Sequence, residues 1–169
     1  MLQPIGTSRK KTHTQKIRDI FGTFAMGNSP KTLLCISTYN ELENIGLVVP
    51  AVLEQLPHAN VLVIDDNSPD GTGEKADEFA QNDQRVHVLH RTKKDGLGRA
   101  YIAGFEWGID KGFKQFIEFD ADFSHDPNYL PTIEKELDTY DLVIGSRRVK
   151  GGGVKDGGFL RRMISSGGS

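Results

Sequence analysis

From Thr32 onward the chain alternates short runs rich in β-branched and aromatic residues with longer amphipathic ones, and this alternation limits the folds open to it more than any other feature. The β-type runs are Thr32 to Thr38, Asn60 to Asp65, Arg85 to His90, Phe116 to Asp120 and Asp141 to Ile144. Between them lie helical patterns over Glu43 to Gln55, Thr72 to Gln81, Leu97 to Lys111 and Leu130 to Leu137. A strand followed by a helix-length crossover and another strand is the unit of a parallel sheet. The fold class expected is therefore α/β: a doubly wound, mainly parallel sheet of about five strands with helices on both faces. At 169 residues with 37% hydrophobic content, the chain is the size of one domain with one core.

The ends differ from this pattern. Residues 1–30 carry five Lys/Arg against Asp19 and have no sustained period, so a disordered or weakly helical basic extension is expected there. Met26 lies just before the domain and is a candidate natural start, with residues 1–25 a misread extension. Residues 31–146 form the expected core domain, and 147–169 a glycine-rich basic segment with six Lys/Arg against Asp156. Overall the formal net charge is only −2, so basic ends flank an acidic core. Such ends suit contact with anions, whether phosphates or a lipid surface, although solvated tails are the simpler reading. The single cysteine, Cys35, lies in an apolar run; it excludes an internal disulfide and reads as a small core residue. No run of eighteen apolar residues occurs and the start lacks a secretory core, which makes a cytoplasmic setting the expectation.

Polar groups gather where the β-type runs end. In an open α/β sheet the carboxyl edge is where ligands bind. The fourth run ends in Asp120-Ala121-Asp122-Phe123-Ser124-His125, two carboxylates two residues apart on a strand-to-helix loop. Mg²⁺ and similar hard cations often take only one or two carboxylates and complete their shell with water and substrate phosphates. An isolated Asp-x-Asp is more simply a solvated turn. The second run ends in Asp65-Asp66-Asn67-Ser68-Pro69-Asp70-Gly71-Thr72; Asp70-Gly71-Thr72 reads as a helix-capping turn, while Asp65 and Asp66 suit either a turn or acceptance of hydrogen bonds from a base or ribose. The first run delivers Ser37, Tyr39 and Glu41, an aromatic for a base and an acid for a ribose. Gly96-Leu97-Gly98 opens a helix and is most simply a tight turn, Trp107 a core residue, and His125 either a hydrogen-bonding support behind the ligands of a metal or an ordinary helix-start residue.

Taken together, Thr38 to Glu41, Asp65 to Thr72, Gly96 to Tyr101, Asp120 to Pro127, Gly145-Ser146-Arg147 and Arg161 to Ser165 resemble, in order, the motifs of family-2 inverting glycosyltransferases with the GT-A (Rossmann-like) fold. The closest branch is the dolichol-phosphate (polyprenol-phosphate) mannose synthases. The resemblance implies a donor site in which Ser37, Tyr39, Glu41, Val63 and Asp65 hold the guanosine end. It implies a metal-diphosphate centre at Asp120, Ala121 and Asp122, a donor-binding Arg147, and Arg161 and Ser165 near the phosphates and acceptor. The catalytic set it implies is Asp122, Arg147 and Arg161, with Asp120 and Asp122 as metal ligands. The chain departs from the family at Ser37, where proline is usual, at Arg148 for tyrosine, at Phe159 near a tryptophan, and at Ser169 for asparagine.

The implied reaction moves mannose from GDP-mannose to a polyprenol (dolichyl) phosphate with inversion, assisted by Mg²⁺ or Mn²⁺. The implied partners are the nucleotide-sugar donor, the lipid acceptor, and a membrane met peripherally at its cytoplasmic face or through an anchoring subunit; no nucleic acid is called for. The family continues beyond the position of Ser169 with acceptor-binding helices, so a truncated chain is expected, and an inactive nucleotide-binding fragment or a synthase using UDP-glucose or another donor are the alternatives. Two other Asp-rich α/β folds fit less well. A haloacid-dehalogenase-like phosphatase puts its Asp-x-Asp on the first strand, and a receiver domain its acidic pair after strand one; here the order is different.

Overall fold

The computed structural model describes residues 5–6 and 32–146. In chain order the elements are β1 (Ile5–Gly6), β2 (Thr32–Thr38), α1 (Leu42–Gln55), β3 (Asn60–Asp65), α2 (Thr72–Asn82), β4 (Val86–His90), α3 (Leu97–Asp110), β5 (Gln115–Asp120), a 3₁₀ turn (Pro127–Tyr129) running into α4 (Leu130–Leu137), and β6 (Val143–Ile144). The expected elements between Thr32 and Leu137 are present with ends shifted by at most one residue.

Four strands form one parallel sheet in the order β4-β3-β2-β5. The chain moves outward from β2 through β3 to β4, then returns to lay β5 on the other side of β2. The direction of winding therefore reverses between β2 and β5, and there the crevice of a doubly wound sheet opens.

The strand over Asp141 to Ile144 departs from expectation. As β6 it is two residues long and pairs antiparallel with β1, Ile5 opposite Ile144 and Gly6 opposite Val143, outside the main sheet. Ile5–Gly6 thus form a strand within the stretch expected to be disordered or weakly helical. The remainder of residues 1–30, and 147–169 with Arg147, Arg161, Ser165 and the glycine-rich run, lie outside the described residues.

Alternation along each strand sends side chains to two faces. Leu34, Ile36, Val61 and Val63 join Ile45, Val48, Val49 and Val52 of α1, Ala76 of α2 and Leu130 of α4 in one cluster. Each fully buried valine or isoleucine there contributes about 1.5–3 kcal/mol. That burial holds α1 together across Pro50, which removes an intrahelical hydrogen bond. On the other face Leu33, Cys35, Leu62 and Ile64 pack against α3 and Phe113. Cys35 is fully buried, and burial together with Glu118 pushes its thiol pKa up to about 12. Trp107 is half-buried beside this cluster, stacked near Phe113 and tilted against His87.

Helix α3 lies unusually close to the sheet. A Cβ at Gly104 would come within 2.4 Å of Ile64 Cδ1, and one at Gly108 within 2.5 Å of the Phe116 ring. The two glycines, one helical turn apart, are the groove that receives the strand side chains.

Candidate active site

Register brings the strand ends together. Ser37 is paired with Asp120 across β2 and β5, and Thr38 with Asp65 across β2 and β3. The Ser37–Asp120 pair thus sits at the winding reversal. The loops that leave β2, β3 and β5 each contain one non-glycine residue in the left-handed region: Asn40 at φ 59°, Asn67 at 60° and Phe123 at 56°. Asparagine tolerates that conformation; phenylalanine does not readily, and strain of this kind persists where the surrounding structure or a function requires it.

Phe123 turns the chain so that Ser124 meets both carboxylates. The Ser124 backbone N–H donates to Asp122 Oδ1 at 2.9 Å, and its hydroxyl donates to Asp120 Oδ2 at 3.3 Å. His125 Nε2 lies 3.0 Å from the same Asp120 oxygen, and the Tyr101 hydroxyl is 3.5 Å from Asp120 Oδ1. The Ser124 N–H is the main reason Asp122 is held below the usual carboxylate range; burial opposes it, and the Ser124 hydroxyl and His125 add smaller contributions in the lowering direction. Burial, with Asp120 and Glu118 nearby, pushes the Tyr101 hydroxyl well above its ordinary value, so it stays a neutral donor. Ala121 between the two acids is buried, whereas Asp122 is exposed.

The β3 end is built differently. Asp65 is 3% exposed; its Oδ1 accepts from Thr38 Oγ1 at 3.1 Å and from Ser68 Oγ at 2.6 Å, and its Oδ2 from Ser68 N at 3.0 Å. Asp66, also buried, forms an ion pair with Arg91 Nη1 at 2.5 Å. Asp70 caps the turn into α2, accepting from the Thr72 N–H and hydroxyl and reaching the Leu42 N–H at 3.2 Å. Burial is the largest single influence on Asp70 and pushes its pKa up, but the Thr72 hydroxyl, the Thr72 N–H and the Leu42 N–H together outweigh it and hold the carboxyl below its ordinary value.

Of the other sequence-predicted residues, Ser37 and Tyr39 are half-buried at the β2 end. Glu41 precedes α1; its N–H donates to Thr72 Oγ1 at 2.9 Å, and its carboxylate accepts from Asn44 Nδ2 at 2.7 Å. Val63 is fully buried inside β3, with its side chain in the core cluster. Four contacts went unforeseen in the sequence. Arg91 pairs with Asp66, Tyr101 reaches Asp120, Ser124 joins the two acids, and the Lys94 ammonium sits 4.0 Å above the centroid of the Tyr39 ring. The legible signal was Tyr101, a phenol on the buried face of a helix, whose hydroxyl needs a partner.

Among the described residues no group of three or more His, Cys, Asp and Glu side chains is arranged to hold a metal ion. Asp120 and Asp122 offer two hard oxygen donors. Such a set fits Mg²⁺ or Mn²⁺, cations that keep waters and substrate phosphates in their shell, and does not fit a structural ion caged by protein alone.

A family model described as glycosyl transferase family 2 matches residues 33–167. The chain belongs to that family. Among family relatives it is 52% identical over 139 residues to an undecaprenyl-phosphate mannosyltransferase of Micrococcus luteus, covering 82% of this chain and 57% of the relative. It is 50% identical over 137 residues to a polyprenol monophosphomannose synthase of Mycolicibacterium smegmatis, 80% of this chain and 52% of that one. A dolichol-phosphate mannosyltransferase of Pyrococcus furiosus is 40% identical over 140 residues, 81% of this chain and 39% of its own length. The chain thus spans about half the length of the curated relatives it matches. Among the described residues of this family-2 chain, no helix is long and apolar enough to cross a membrane.

Proposed function

We propose that the chain carries the donor half of a mannosyltransferase, which moves mannose from GDP-mannose to a polyprenol phosphate and inverts the sugar carbon. The observation that carries this reading is the meeting of Ser37 and Asp120 at the winding reversal, with Asp122 joined to Asp120 through Ser124. The names of three relatives at 40–52% identity, all transferring mannose to or forming mannose on a polyprenol or dolichol phosphate, supply the substrate class.

The acceptor phosphate needs little activation, because its second pKa is about 6 and it is largely ionised near neutral pH. The demands on the protein are alignment for back-side attack and stabilisation of the departing diphosphate. Asp120 and Asp122 would hold Mg²⁺ or Mn²⁺, and the cation would neutralise charge developing on that diphosphate. Ser124 and Tyr101 orient the carboxylates. Tyr39 offers a face to the base, Glu41 an acceptor to the ribose, and Ser37 and Asp65 flank them, while Val63 contributes only backbone. Arg147 and Arg161 are assigned to the phosphates on the strength of the family resemblance, and the acceptor is met peripherally at the cytoplasmic face of a membrane.

The test is calorimetric titration with GDP, UDP and ADP, each with and without Mn²⁺. Preference for GDP that depends on Mn²⁺ is expected, and Asp122→Ala should remove the metal-dependent part. In an intact synthase the same substitution should lower transfer by about 10²-fold or more, the scale of losing one preorganised electrostatic contact. Metal-independent binding, or near-normal transfer by the variant, would sink the assignment.

A further inference from the structure

The segment that leaves edge strand β4 carries Arg91, Lys93 and Lys94, and Arg99 follows at the start of α3. Arg91 is tied to Asp66. Lys93 Nζ lies 3.7 Å and Arg99 Nη1 3.0 Å from the same oxygen of Asp95. Among the described residues Lys94 alone of the four is without a carboxylate partner. Its ammonium rests on a neutral ring, 4.0 Å above the centroid of Tyr39. β3 lies between β4 and β2, so the Lys94 side chain spans the carboxyl end of β3 to reach a residue that follows β2.

Resting on the donor-site reading, we propose that Lys94 is a phosphate-recognition residue, held on the Tyr39 ring in the nucleotide-free protein and passing its ammonium to the donor diphosphate on binding. Three physical points support it. With Asp66 neutralised by Arg91, this edge still presents Glu41, Asp65, Asp120 and Asp122, and a diphosphate entering such a field needs a cation to meet it. The other three basic side chains would first have to break an ion pair, whereas Lys94 gives up only a ring. An ammonium prefers a phosphate oxygen, with its full charge and directional hydrogen bonds, to the quadrupole of a neutral ring. Its present position also covers the face on which a base would stack. Nucleotide binding therefore displaces Lys94 and rehouses it in one event.

That coupling gives the test opposite signs for two ligands. Guanosine must displace Lys94 without offering it a phosphate; GDP does both. In calorimetric titrations of the full chain with Mn²⁺ present, Lys94→Ala should weaken GDP binding about tenfold, the scale of a hydrogen bond to a charged group. The same variant should bind guanosine as well as, or more tightly than, the unaltered chain. Lys94→Arg, which keeps the charge, should restore GDP binding to within about threefold.

Equal weakening of GDP and guanosine would overturn the proposal, because the lysine would then merely support the ring. Unchanged GDP binding in Lys94→Ala would overturn it while leaving the donor-site reading intact. Geranyl phosphate, titrated alongside, separates donor from acceptor. Loss of its binding with GDP unaffected would move Lys94 to the acceptor phosphate and overturn the assignment made here. If the unaltered chain binds neither GDP nor guanosine, the donor-site reading itself fails and takes this inference with it.

Discussion

The ends of β3 and β5 carry nearly the same letters, Asp-Asp-Asn-Ser and Asp-Ala-Asp-Phe-Ser, yet fold to opposite purposes. At the β3 end the acids are used up by the protein. Asp65 satisfies Thr38 and Ser68, and Asp66 neutralises Arg91, both within the buried interior. At the β5 end Asp120 has a side chain 44% exposed and Asp122 is exposed beside it. The cause is position in the sheet. β3 is flanked on both sides, so its terminal carboxylate meets hydroxyls from a neighbouring strand end and its own loop. β5 is an edge strand at the winding reversal, and nothing lies beyond it among the described residues. Acids that already have their hydrogen bonds hold loops in place; acids left partly open are the ones a cation or a phosphate can use.

The sharpest way to break this contrast is to make one substitution at both ends. Asp65→Ala removes the acceptor of the Ser68 N–H and hydroxyl and leaves the buried Thr38 hydroxyl only the Ile64 carbonyl at 3.5 Å, and should cost about 2–3 kcal/mol of stability. For a chain of this size that lowers the thermal midpoint by roughly 5–10 °C. Differential scanning calorimetry measures it directly. A variant that melts within a degree or two of the unaltered chain would mean that the β3 carboxylate is no more structural than the β5 pair.

The contrast explains what could be foreseen from sequence. Strands β2, β3 and β5 and the helices between them are legible because each buries a continuous face, and periodicity records burial. That Asp65 would be buried and Asp122 open was not legible, since both lie at the end of an apolar run with a serine two or three residues on. What separates them is the neighbour across the sheet, which strand order decides. Lys94 on Tyr39 was hidden for the same reason, because the contact crosses β3 between segments 55 residues apart in number. Gly104 and Gly108 look like poor helix formers, and only the approach of Ile64 and Phe116 shows why glycine is needed. The two-residue β6 gave a four-residue strand signal, but its partner is Ile5–Gly6 and not the main sheet.

A smaller effect is expected at the other end. Asp122→Ala removes one exposed acceptor of the Ser124 N–H and should change stability by no more than about 0.5 kcal/mol, as surface substitutions generally do. Its consequence should fall on binding. Paramagnetic resonance of added Mn²⁺ should show the bound fraction lost in this variant while the melting curve stays in place. Loss of stability comparable with that of Asp65→Ala would erase the distinction between the two strand ends.

The smallest effect is in the acid titration of Asp122. The Ser124 N–H, with help from the Ser124 hydroxyl and His125, lowers its folded pKa, while an unfolded aspartate titrates near 3.9. A carboxyl depressed in the folded state contributes stability that is fully present above the unfolded value and disappears as pH falls through the folded one. Because Asp122 is exposed, solvent screens most of that contribution, so the carboxyl itself is the better reporter. Its side-chain ¹³C resonance should titrate with a midpoint below about 3.9. His125→Ala should move that midpoint up slightly, since it removes a nearby positive charge on the acid limb. A midpoint at or above the ordinary carboxylate value would mean that the Ser124 N–H does not hold the carboxylate in solution. The strained turn at Phe123 would then lose its physical reason, and the two strand ends would differ by exposure alone.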